Sequence, residues 1–138
     1  MTAKTRENST AYSTANQEVP TRQRQLVRYV LRRIDEHMRD GMVPDYDRMT
    51  IEHFLPQNLA QHAVKPEEVG MIGNLLLVDG KLNDKLGNKR FSDKLEILSD
   101  SDLPLDDFLR NAETWDEAAI RERTKSLAEL CYQKIFRV

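Results

Sequence analysis

The chain has 138 residues, 39% hydrophobic and 32% charged, with a formal net charge of -2. That length accommodates one domain with one modest core, and the balance excludes a fibrous or wholly disordered polymer. It also excludes attachment to nucleic acid by overall charge, so any basic surface must be local, and no apolar run approaches the roughly 18 residues of a membrane span or forms a signal-peptide core.

Residues 1–19 are rich in Thr, Ser, Asn, Gln and Ala, with Tyr12 as the only large ring. Such a segment cannot offset its own ordering entropy and reads as a polar tail or linker. Pro20 opens a helical pattern over about 20–40, in which Leu26, Val27, Val30, Leu31, Ile34 and Met38 recur at three- and four-residue steps before Gly41 stops it. The other face carries Arg22, Arg24, Arg28, Arg32 and Arg33, which are either solvated or face phosphate. His37 and His62 have no chemical partner in the pattern and read as surface residues.

Met49 to Leu55 reads as a short extended run ended by Pro56. Met71 to Val78, between Gly70 and the Asp79-Gly80 turn, is almost continuously apolar and suits a strand buried on both faces. Helical spacing follows over Lys81–Gly87 and Phe91–Leu98. Asp102 to Asn111 suggests a short acidic helix, and Thr114 with Glu117 forms a capping-box signature for a long final helix, the flank 104–138. Ile120, Leu127, Cys131 and Ile135 run down one face of that helix, with Trp115 as core. The acids Asp100, Asp102, Asp106, Asp107, Glu113, Asp116 and Glu117 gather here, so the net charge sums over opposed regions. Cys131 is the one cysteine; it excludes an intramolecular disulfide and a thiolate zinc site, and a reducing cytoplasm is the simplest compartment. The expected fold class is α+β, mostly helical, with a short β-hairpin flanked by helices.

Three features carry chemistry: Glu52-His53 at the end of the first strand, Asn74 in the second, and Asn83 in the first turn of the following helix. A hairpin packed on a helix can bring an imidazole and two oxygen ligands around one cavity. Oxygen ligands suit a hard divalent cation such as Mg²⁺ or Mn²⁺. Each piece also has a plain structural reading: a hydrogen-bonded histidine, a turn-holding amide, a polar helix start. Singly, none is decisive.

Four blocks in this order, IEHFLPQ (51–57), IGNLLLV (72–78), LNDKLGNKRFSDK (82–94) and WDEAAIRERTKSLA (115–128), resemble the GmrSD-type HNH endonuclease C-terminal domain. That is the nuclease domain of modification-dependent restriction proteins within the His-Me finger (ββα-metal) superfamily. The YVLRRI segment (29–34) is similar to the helix that precedes the motif there. The resemblance implies a nuclease domain over 20–138 with its ββα-metal core at about 49–94. It implies a DNA endonuclease of a restriction or phage-defence system that uses one divalent metal ion. By the same resemblance, His53 corresponds to the general base, Glu52 to the acidic metal ligand, Asn83 to the metal-positioning asparagine and Asn74 to the brace of the histidine loop. Lys81, Lys85, Lys89, Arg90 and Lys94 become candidates for phosphate contact, although only some can face one groove. Leu76 departs from the family, which often has a threonine there. Family members usually also carry an N-terminal ParB-like domain that binds nucleotide and controls cleavage. No phosphate-cradling glycine loop is present here, so the expectation is a separate subunit, a remnant or a segment of a longer protein. The competing readings are a catalytically silent nucleic-acid- or protein-binding module of the same fold, and a helical interaction domain in which Glu52, His53 and Asn83 lie far apart.

Overall fold

A two-stranded antiparallel hairpin separates two apolar clusters in the computed structural model, which describes residues 21–41, 43–55 and 71–136. The tail expected over 1–19 and His62 lie outside the described residues. β1 (Met49–His53) pairs with β2 (Leu75–Asp79) in a register running from Met49↔Asp79 to His53↔Leu75. Successive side chains of a strand point to opposite faces. Met49 and Ile51 therefore share a face with Leu75 and Leu77, and Thr50 and Glu52 share the other with Leu76 and Val78.

The first face packs on α1 (Thr21–Met38), where Leu31, Tyr46, Met49, Leu75 and Leu77 form a small core flanked by Val27 and Ile51. The arginines of α1 are mostly engaged within the chain. Arg28 bonds the carbonyl of Tyr46, Arg32 lies over the Tyr46 ring and beside Glu36, and Arg33 contacts the rings of Tyr29 and Phe136.

The second face is covered by α2 (Gly80–Leu86), α3 (Phe91–Ser99), α4 (Asp107–Asn111) and α5 (Glu117–Leu130). Phe54, Leu76, Val78, Leu82, Leu86, Leu98, Leu109, Trp115 and Ile120 form the larger core there. Phe91 stacks on Trp115 at 4.6 Å between centroids and Phe54 meets both rings edge-on, so Trp115 is core, as its spacing suggests.

Three aspartates start helices by accepting a hydrogen bond from the backbone N–H three residues on: Asp79 for α2, Asp106 for α4 and Asp116 for α5. Asp116 thus displaces the expected Thr114 cap, and Glu117 becomes the first helical residue. The acidic helix expected from Asp102 begins only at Asp107, because Pro104 biases the residue before it toward extended backbone and Asp106 takes the cap. The second strand also starts late. Ile72–Asn74 is a 3₁₀ turn pressed against α5, and a Cβ on Gly73 would lie 2.1 Å from the Ile120 carbonyl oxygen. The fold is α+β and mostly helical around one hairpin. No helix among the described residues is long and apolar enough to cross a membrane.

Candidate active site

Glu52 and His53 close β1, and Glu52 is buried there. An acid in such a place needs a counter-charge, and α3 supplies it: Lys94 Nζ lies 2.8 Å from Glu52 Oε2. The same ammonium donates to the carbonyl oxygens of His53 at 3.0 Å and Phe54 at 3.5 Å. Lys94 is only 1% exposed, which corrects its expected role in phosphate contact. Phe91, Lys94, Leu95 and Leu98 occupy the i, i+3, i+4 and i+7 positions of one helical stripe, so the stripe that buries α3 buries Lys94 with it. That spacing was readable in the sequence. The remaining cations expected at phosphate, Lys81, Lys85, Lys89 and Arg90, are exposed.

Burial pushes the His53 imidazole down to about 4 from the ordinary histidine value, and the nearby Lys94 charge adds to the shift. The ring is therefore neutral near pH 7 and able to accept a proton. Strand alternation sends the Glu52 carboxylate and the His53 ring to opposite faces, with Lys94 as the group that touches both residues.

Asn83, half-buried on α2, donates through Nδ2 to Thr50 Oγ1 at 3.0 Å. Thr50 lies two residues before Glu52 on the same face, so Asn83 stands beside β1 on the side that carries the carboxylate. Asn74 is fully buried and makes a two-way amide clamp on the chain just beyond His53. Its Oδ1 accepts from the N–H of Leu55 at 2.9 Å and its Nδ2 donates to the Leu55 carbonyl at 3.0 Å. Trp115 Nε1 donates to the same Oδ1 at 2.9 Å, and the Phe54 N–H donates to the Asn74 carbonyl at 3.0 Å.

Behind Asn74 stands Arg123, a residue outside the set expected for the site. It is 1% exposed. Its guanidinium bonds Asp106 and donates to the carbonyls of Gly73 at 3.0 Å and Leu75 at 2.8 Å, bracketing Asn74 from both sides. The Phe54 ring lies 5.6 Å from it. Ile120, Arg123 and Leu127 share one stripe of α5, the same signal that marks Lys94.

Among the described residues no three His, Cys, Asp or Glu side chains group around one point. A groove of about 640 Å³ is lined by Asp107, Phe108, Glu113, Asp116 and Glu122 among others and contains none of the site residues. Its carboxylates disfavour phosphate.

A family model described as GmrSD restriction endonucleases, C-terminal domain, matches residues 4–130. Neither the curated proteins nor the solved structures give a match to the chain.

Proposed function

Because the chain belongs to the family of GmrSD restriction endonuclease C-terminal domains and is a restriction-endonuclease-related nuclease module, we propose that it hydrolyses DNA phosphodiester bonds with a divalent cation, as an HNH-type endonuclease. The observation that carries this reading is the buried Glu52 next to the half-buried His53 at the end of β1, beside the helix that bears Asn83.

The residues fit a hard cation. Lys94 holds Glu52 Oε2 at 2.8 Å, which leaves Oε1 as the carboxylate oxygen for a cation, and Asn83, whose Nδ2 is engaged with Thr50, leaves Oδ1 as a neutral oxygen donor. Glu52 and Asn83 would hold Mg²⁺ or Mn²⁺, which when bound supplies Lewis-acid stabilisation of the phosphate charge. His53, neutral near pH 7, accepts the proton of the attacking water. Asn74 positions it by fixing the backbone of Leu55, two residues on. Lys81, Lys85, Lys89 and Arg90 are exposed around α2 and the turn after it, where they meet backbone phosphates without reading sequence. Recognition of modified DNA then falls to a ParB-like domain or subunit.

The pairing of Glu52 with Lys94 also favours a second reading, a catalytically silent binding module whose carboxylate already has its counter-ion. Plasmid DNA with Mg²⁺ or Mn²⁺ separates the two. The nuclease nicks it, chelation stops the reaction, and His53→Ala lowers the rate by about 100-fold or more. Equal nicking by the wild type and His53→Ala refutes the assignment, and retarded DNA without cleavage establishes the silent module.

A further inference from the structure

Three acceptors from three consecutive residues converge on Lys94 Nζ: Glu52 Oε2 at 2.8 Å, the His53 carbonyl at 3.0 Å and the Phe54 carbonyl at 3.5 Å. A lysine ammonium has three N–H donors on a compact head. Two of those donors go to the two carbonyls, and the charge of the head pairs with Glu52 Oε2. The Lys94 side chain is 2% exposed and that of Glu52 9%, so water does not replace either partner.

We propose that Lys94 is a positioning residue for the nuclease site, an internal counter-ion that turns Glu52 Oε2 inward, presents Oε1 outward, and fixes the backbone of His53. This rests on the reading of Glu52 as a metal ligand given above. A buried charge without a partner is costly, so the ion pair at 2.8 Å holds the carboxylate in its place. The ion pair leaves Oε2 without a directed hydrogen bond, so its partner is the charge of Lys94 and the carboxylate is held by one side only. The His53 and Phe54 carbonyls are the last link. They tie the strand end, where pairing with β2 stops at Leu75, to a helix from another part of the chain. Groups behind a metal ligand commonly set its orientation and thereby the affinity of the site.

The test compares the wild-type chain with Lys94→Met and Lys94→Gln, the glutamine retaining a donor and so straining the fold less. Mn²⁺ affinity is measured by calorimetry, and the His53 ring signals are followed by NMR without metal. The expected result is Mn²⁺ binding weaker by about ten- to a hundredfold, together with displaced His53 signals. Folded variants that bind Mn²⁺ as tightly as the wild type and leave those signals in place overturn the proposal. Should both single variants unfold, Glu52→Gln combined with Lys94→Met decides. Recovery of the fold shows that the lysine acts on the carboxylate, and no recovery overturns that. A wild type that takes up no Mn²⁺ counts against the metal reading itself, whereas unmoved His53 signals count against Lys94 alone, so the two failures remain separate.

Discussion

Two buried ion pairs flank the hairpin, and they are finished to different degrees. Arg123 meets Asp106, the carbonyls of Gly73 and Leu75 and the face of Phe54. All three nitrogens of that guanidinium are bonded, and such a pair is a structural joint between α5 and the turn before β2. Lys94 is equally buried, and its charge alone meets Glu52 Oε2, with no directed hydrogen bond. Buried polar groups in native proteins are nearly always satisfied. The exception lies at the residue that the family resemblance assigns to the metal. Burial of charge alone does not mark a site: one pair joins two elements of the core, and the other holds the end of β1.

The comparison can be broken most directly at Arg123. Arg123→Met strands Asp106 and two carbonyls, and costs about 4 kcal/mol in denaturant unfolding. Variants that still fold keep their Mn²⁺ affinity, in contrast to Lys94→Met; loss of both together would make the two pairs equivalent. Next in size is Gly73→Ala, where a Cβ would meet the backbone of Ile120 at 2.1 Å and Thr124 Oγ1 at 2.3 Å. Prying the turn off α5 costs about 3 kcal/mol, read as a lowered urea midpoint.

On the other side of the comparison, acid titration sharpens the surroundings of Lys94. The pKa of His53 falls from 6.5 to about 4 on folding, so the unfolded chain binds the proton first as pH drops. Its contribution is present above the unfolded value and is lost progressively between about pH 6.5 and 4. The loss amounts to about 3 kcal/mol. Urea midpoints of the wild type and His53→Gln compared across that range report it, and parallel curves would contradict it. The smallest effect is at Asp116, whose side chain caps α5 through the Ala119 N–H. Asp116→Ala costs about 1 kcal/mol in the same assay and leaves the His53 ring signals unmoved, because it changes the helix that carries Arg123 without touching either ion pair.

Much of the architecture was readable from local pattern. The helices over Thr21–Met38, Gly80–Leu86 and Phe91–Ser99 follow the spacing of their apolar residues, β1 lies within its predicted extended run, and β2 overlaps its run but extends through Asp79, which the pattern gave to a turn. The misses are at element starts, where a neighbour decides: Asp116 outcompetes Thr114 as cap, and contact with α5 curls Ile72–Asn74 into a 3₁₀ turn. At the site, Glu52, His53, Asn74 and Asn83 were picked out by motif. The helical stripes that bury Lys94 and Arg123 are legible in the sequence, but the partners that make their burial tolerable are not.

Sequence by itself determined the period of each segment, the residues that face a core, and the order of the family blocks, since these depend on neighbours a few positions apart. Tertiary structure alone decided the fate of the two buried cations. Lys94 finds its carbonyl partner 41 residues away and Arg123 finds one at 50. A buried charge is stable only where its counter-charge arrives, and that arrival depends on how α3 and α5 pack against the hairpin.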